Sequence, residues 1–218
     1  YFPLVSAERL RVTGNPVRRE ITEGNAERLY TRMDLRRDLP LVFIQGGSQG
    51  AGEINQLLFE SLSDLLQVCV VCHQTGHGGI ERAQGFLADN PQYTGRYYPQ
   101  PFFTEEYADI LAAAALSVTR AGAGSLWELA ATCTPAVIIP LRSGTRGDQI
   151  RNADLFSQLG IGYVLQVSEL NPAGFSGCIQ RLLQDTEARS RMEAAARIFA
   201  ADKGVKKLAD VCEELLCS

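Results

Sequence analysis

Apolar residues along this chain fall into two kinds of run. Short blocks rich in β-branched side chains occur at residues 41–45, 68–73, 116–119, 136–140 and 163–166, with a weaker one at 93–98. Between them lie helix-like segments at 54–66, 80–87, 105–115, 126–132 and 149–159. Strand-length blocks alternating with helix-length segments predict right-handed βαβ units and therefore a parallel sheet. A block such as "AVIIP" is apolar throughout rather than alternating, as expected where helices cover both faces of the sheet. Beyond residue 166 the pattern is helical only, at 178–183, 189–200 and 205–216. The opening "LRVTGNPVRREI" reads as a strand running into a loop, with a helix near 26–33. The expectation is one doubly wound α/β domain over residues 1–218, closed by C-terminal helices from about residue 171.

Composition narrows the function classes. A net charge of −4 argues against a nucleic-acid binder, which normally carries a basic face, and provides no polybasic membrane patch. The longest apolar run, around Ile110 to Val118, is too short to span a bilayer. No charged start followed by an apolar core marks a signal peptide. The chain begins Tyr1-Phe2-Pro3 without an initiating methionine, so it is expected to be part of a longer polypeptide.

The stretch "VCVVCHQTGHGG" holds two of the six cysteines and both histidines, and its Cys69-x-x-Cys72-His73 has the form of a c-type haem attachment site. Read as a strand, however, it turns Cys69 and Cys72 to opposite faces of the sheet, where they cannot jointly hold zinc. No second CxxC completes a four-thiolate site. A buried strand with incidental cysteines is the expectation, with no metal. His73 and His77 then stand at the C-terminal end of a parallel strand, the edge where α/β proteins bind ligands, either as turn-forming residues or as contacts to a ligand.

Three loops after strands carry candidate chemistry. "FIQGGSQGA" places Gly46, Gly47, Ser48 and Gly50 between a strand and a long helix, where close-approaching N–H groups and the helix N-terminus suit an anion. A tight turn would use the same glycines. It is not the G-x-G-x-x-G fingerprint, and no acidic residue closes the next strand, which disfavours a nicotinamide cofactor. "TRAGAGSLWE" offers a second anion seat at Ala123, Gly124 and Ser125. Its Ser125-x-x-Glu128 spacing fits a capping box, or else Glu128 accepts hydrogen bonds from a ribose diol. "SGTRGDQIRNA" supplies Asp148, Gln149 and Asn152 for sugar recognition, or simply a solvated helix cap. Arg18 in "TGNPVRR" follows the first expected strand and suits a phosphate, or is an ordinary surface arginine. Together these groups suit a nucleotide-sugar diphosphate.

Five ordered segments, "VTGNPVR", "GGSQGA", "HQTG", "RAGAGSLWE" and "RGDQIRNA", resemble the C-terminal, donor-binding half of glycosyltransferase family 28. The resemblance implies a Rossmann-like C-terminal domain of a GT-B enzyme, and a transferase that moves N-acetylglucosamine from UDP-N-acetylglucosamine to a lipid-linked muramoyl-pentapeptide in peptidoglycan synthesis. It implies a place at the cytoplasmic side of the membrane, held peripherally through an N-terminal acceptor half that this chain does not include. Residue by residue, it implies that Arg18 and Ser48 lie by the diphosphate and that the Phe103 backbone reads the uracil edge. It implies that Ala123, Gly124 and Ser125 receive a phosphate, that Glu128 binds the ribose hydroxyls and that Gln149 reaches the sugar. The base is implied to belong to the other half, which leaves His73 as the candidate within this chain. No cofactor is expected, because helix N-termini and Arg18 can carry the phosphate charge. The same donor half would serve a related lipid galactosyltransferase or a nucleotide-sugar-binding subunit of a split enzyme. A sugar-nucleotide epimerase shares the fold, but its catalytic acids are not recognisable.

Overall fold

The strand β1 (Leu41–Gln45) is buried at every position and lies inside a six-stranded parallel sheet. This computed structural model describes residues 6, 10–46, 52–140, 147–200 and 204–216. Chain order runs through α1 (Arg19–Thr22), α2 (Ala26–Met33), β1, α3 (Gly52–Leu65), β2 (Val70–Gln74), α4 (Ile80–Asp89) and β3 (Tyr97–Gln100). It continues through α5 (Tyr107–Ala113), β4 (Leu116–Thr119), α6 (Ala123–Ala131), β5 (Ala136–Ile138), α7 (Asp148–Gln158) and β6 (Gly162–Val164). Three helices follow: α8 (Pro172–Gln184), α9 (Thr186–Ala200) and α10 (Gly204–Leu216). The strand order is β3-β2-β1-β4-β5-β6. The winding direction therefore reverses between β1 and β4, which pair directly through Val42–Leu116, Phe43–Ser117 and Ile44–Val118. Such a reversal opens a crevice at the strand C-termini, because the loops on either side turn to opposite faces.

Alternation along each strand builds two cores. Val42, Ile44, Val71, Val118 and Val137 pack under α3 and α8, while Leu41, Phe43, Val70, Cys72 and Ile138 pack under α2, α5, α6 and α7. Cys69 belongs to the first core and Cys72 to the second, so the two thiols do lie on opposite sides of the sheet. A Trp127–Phe156–Phe199 cluster, with centroids 5.2–5.6 Å apart, fastens α6 to α7 and α9.

Two expected elements differ. Residues 10–18 form no strand: Val12 is 92% exposed, Gly14 takes a φ of +79° and Pro16 lacks an N–H, so the segment cannot donate a continuous ladder. The weak strand expected at 93–98 starts later, at Tyr97, because Pro91–Tyr93 forms a single 3-10 turn. Other boundaries shift by a few residues at each end. The segment 19–33 is instead fixed by α5. A Cβ at Gly24 would stand 2.1 Å from the Ala108 carbonyl oxygen, so only glycine lets this turn close on α5. Asp109 accepts from Arg28 Nε at 2.6 Å, Arg28 Nη2 at 2.5 Å and the Asn25 N–H at 2.7 Å. That anchoring carries Arg18, just before α1, to the C-terminal edge of the sheet.

Candidate functional site

A cleft of about 390 Å³ lies at the crevice, lined by Arg18, Gln45, Gln74, Thr104, Tyr107, Ser125, Glu128 and the pair Phe102 and Phe103. Ligand pockets commonly fall at about 300–1,000 Å³. Its floor is the end of β1, its walls are the turn after β3 and the first turns of α6. Four residues singled out by sequence, Arg18, Phe103, Ser125 and Glu128, meet here from positions far apart in the chain.

Helix α6 begins at Ala123, with Gly122 at the capping position in an extended conformation (φ −69°, ψ 135°) and no side chain bonded to the exposed amides. Ala123 and Gly124 are exposed in this first turn, leaving their backbone N–H groups open to an anion. The capping box expected of Ser125 and Glu128 is absent. Glycine at 122 starts the helix too early for Ser125 to cap it, which puts Glu128 in the second turn. Glu128 Oε2 instead accepts from the Tyr107 hydroxyl at 2.8 Å, and Oε1 stands 3.7 Å from Arg18 Nη2. Burial, then the charge and hydrogen bond of Glu128, push the Tyr107 phenol well above its usual range, so it stays protonated as the donor.

Across the cleft, Phe103 is buried and packs edge-on against Phe43 at 5.9 Å. Its backbone N–H is held by Gln74 Oε1 at 3.3 Å, a long bond that a better acceptor can replace. Beneath the second loop, Arg120 donates to Glu53 at 2.9 Å, tying the end of β4 to the first turn of α3. Of the first glycine loop, Gly46 is buried at the exit of β1, while Gly47, Ser48 and Gly50 lie outside the described residues. Gln149 sits in the first turn of α7 but does not line the cleft, and Asp148 is exposed beside it. Asn152 donates to the Ala121 carbonyl at 3.0 Å, so it braces α7 against the β4–α6 loop rather than facing a ligand.

His73 does not reach the cleft. It is 0% exposed on the α3 side of the sheet, with Nδ1 2.7 Å from the Tyr97 hydroxyl and Nε2 3.0 Å from Asn55 Oδ1. Burial lowers its pKa to about 3. A ring with both nitrogens occupied and no access to solvent is not placed to take a proton from an acceptor, which corrects the reading of His73 as a candidate base. His77 packs against the Phe102 ring at 5.0 Å. Among the described residues no group of three or more His, Cys, Asp or Glu is arranged to hold a metal ion.

Sequence reasoning missed Tyr107, Gln45 and Gln74. Gln45 carried a signal, since it is the one polar residue closing the otherwise apolar strand "LVFIQ". Tyr107 carried none, being one apolar-periodic position among several in its helix.

A doubly wound parallel sheet with its cleft at the reversal between β1 and β4, built from glycine-led helix starts, an arginine and a carboxylate, defines a nucleotide-binding α/β domain. The chain belongs to the glycosyltransferase family 28 C-terminal domain family, whose family model matches residues 41–211. It is similar to a UDP-N-acetylglucosamine--N-acetylmuramyl-(pentapeptide) pyrophosphoryl-undecaprenol N-acetylglucosamine transferase of Treponema denticola, 33% identical over 94% of this chain and 55% of that protein. A protein of the same description from Legionella pneumophila (strain Paris) is 34% identical over 89% of this chain and 52% of its own. Among solved structures, Acinetobacter baumannii MurG superposes with a TM-score of 0.66 at 28% identity, over 82% of this chain and 53% of that one. The glycotransferase of kitacinnamycin, at 18% identity and a TM-score of 0.68 over 96% of this chain and 50% of that one, shares the fold. The expected architecture, the C-terminal domain of a GT-B glycosyltransferase, is thus the one observed. The chain spans about half the length of the curated relatives it matches.

Proposed function

We propose that this chain is the donor-binding half of an inverting glycosyltransferase that moves N-acetylglucosamine from UDP-N-acetylglucosamine to a lipid-linked muramoyl-pentapeptide. The observation that carries the reading is the position of Glu128. It stands in the second turn of α6, outside any cap, with Oε1 toward the cleft and Arg18 3.7 Å away. A carboxylate there suits the two hydroxyls of a ribose. Arg18 and the exposed amides of Ala123 and Gly124 then suit the diphosphate that follows it, with Ser125 beside them. The Phe103 backbone, across the cleft, suits the uracil edge. Ser48 with Gly46, Gly47 and Gly50 is assigned to the diphosphate, and Gln149 to the sugar, by family resemblance.

The reaction follows from these roles. An acceptor hydroxyl oxygen attacks the anomeric carbon, the bond from that carbon to the diphosphate oxygen breaks with its electron pair, and configuration inverts. UDP leaves as an anion, stabilised by Arg18 and the helix amides. The acceptor proton passes to a base, which this reading assigns to the acceptor half together with the lipid-linked substrate and the peripheral contact with the cytoplasmic face of the membrane. Among the described residues no helix is long and apolar enough to cross a membrane.

Calorimetry of UDP and UDP-N-acetylglucosamine with the wild-type chain and Glu128→Ala tests the reading. Loss of a hydrogen bond to a charged group costs about 1.5–3 kcal/mol, a roughly ten- to hundredfold weaker Kd. Unchanged affinity in the variant would remove Glu128 from the nucleotide site.

A further inference from the structure

Glu128 is held from outside its own helix. The Tyr107 hydroxyl lies 2.8 Å from Glu128 Oε2 and 3.2 Å from Gln45 Oε1, linking α6, α5 and β1, segments 21 and 62 residues apart in sequence. A hydroxyl has one proton and two lone pairs. The shorter contact, to a charged acceptor, takes the proton, so the Tyr107 oxygen presents a lone pair to Gln45. Gln45 is 2% exposed, and its Nε2 is buried with no partner among the described residues. Turned about its last bond, the amide places that nitrogen at the Tyr107 oxygen, which satisfies both groups. The chain then runs Gln45 Nε2 to Tyr107 to Glu128 Oε2, each donor pointing toward the carboxylate.

The ring of Tyr107 is fixed as well. Phe43 packs edge-on against it with centroids 5.8 Å apart. Phe43 and Gln45 are two residues apart on β1 and so face the same side of the sheet, one holding the ring and the other its hydroxyl. A glutamate in the second turn of a helix otherwise samples several rotamers, and Arg18, whose side chain is 70% exposed at 3.7 Å, is a competing partner.

We propose that Tyr107 and Gln45 are positioning residues, which lock Oε2 of Glu128 and so leave Oε1 turned to the vicinal diol of a ribose. The inference rests on the donor-binding reading above, in which Glu128 meets the sugar. It adds a selection for ribonucleotides, since a fixed carboxylate binds a diol with less ordering cost than a mobile one.

The test compares UDP with 2′,3′-dideoxy-UDP, which lacks both hydroxyls, on this chain by calorimetry. Tyr107→Phe keeps the ring and removes the hydroxyl. It should weaken UDP about five- to tenfold while 2′,3′-dideoxy-UDP changes by less than about twofold. Gln45→Met, of similar length, should shift UDP in the same direction by less, and Glu128→Gln supplies the full diol effect. If Glu128→Gln removes the preference for UDP and Tyr107→Phe retains it, the positioning chain is wrong and the donor reading survives. If neither variant changes the preference, both are wrong. If Tyr107→Phe weakens both nucleotides equally at unchanged melting temperature, Tyr107 shapes the pocket without orienting the carboxylate, and the inference falls.

Discussion

Cys69 and Cys72 lie three residues apart yet face opposite cores, Cys69 toward α3 and Cys72 toward Phe43 and α5. Burial raises both thiols, Cys69 to about 12 and Cys72 further, so neither forms a thiolate at neutral pH. Brief alkylation of the native chain, read by peptide mass spectrometry, should label exposed Cys212 and spare both. Elemental analysis should find no stoichiometric zinc. Labelling of Cys69 and Cys72 at the rate of Cys212 would contradict this burial.

Asp109 is 1% exposed and bonded by Arg28 and the Asn25 amide, the junction that brings Arg18 to the cleft. Burial raises its pKa, but these bonds and the Arg28 charge outweigh that, and the net shift is downward. A depressed carboxylate contributes stability above its unfolded pKa and loses it as pH falls through the folded value. Asp109→Asn should therefore cost about 1.5–3 kcal/mol at pH 7, with the gap to wild type closing in strong acid. Urea melts at both pH values measure it.

Where local pattern decides structure, the sequence was readable. The strand at 41–45 is found with those bounds because five apolar or buried positions in a row admit little else. The supposed strand at 10–18 failed because its apolar positions are too few and Gly14 and Pro16 interrupt them, while the sheet edges are taken by β3 and β6. Arg18 still reaches the cleft, since Asp109 and Gly24 fix the turn that follows it. Glu128 was legible as a residue of interest, but its partner was not. The Tyr107–Glu128 and Tyr107–Gln45 contacts join separate elements, and no spacing within one element announces them. His73 failed in the other direction. Its place near a strand end suggested the cleft, but strand alternation sends its side chain to the α3 core.

His73 makes a separate prediction about acid. Its ring is held neutral by burial down to about pH 3, whereas an unfolded histidine takes up a proton near 6.5. Between those values the unfolded state binds more protons, so stability falls as pH is lowered, by up to about 1.4 kcal/mol per unit. Asn55, Tyr97 and Phe59 face the ring, and none is a carboxylate. Ordinary carboxylates titrate near pH 4, so the interval from pH 6.5 to 5 isolates the histidine. The wild type should lose roughly 2 kcal/mol across it relative to His73→Gln. Parallel curves for the two would show that His73 is protonated in the folded chain.

The last expectation concerns transfer itself. Of the residues lining the cleft, Glu128 is the carboxylate, and its Oε2 is already engaged by Tyr107. His73 is sealed in the core on the other side of the sheet. On the donor-binding reading, these 218 residues hold a nucleotide sugar but offer the acceptor neither a docking surface nor a base. General base catalysis alone is worth about 10²–10⁴ in rate, and positioning of two reactants more still. Incubated alone with radiolabelled UDP-N-acetylglucosamine and the lipid-linked muramoyl acceptor, the chain should therefore give no transfer above a blank, although it binds UDP. Supplying an N-terminal half from a relative such as the Treponema denticola enzyme, fused or separate, should restore it. Turnover by the chain alone would place the base within these residues. Substituting Glu128 would then show whether the carboxylate serves the ribose or the acceptor, because a base variant loses kcat while a ribose variant loses donor affinity.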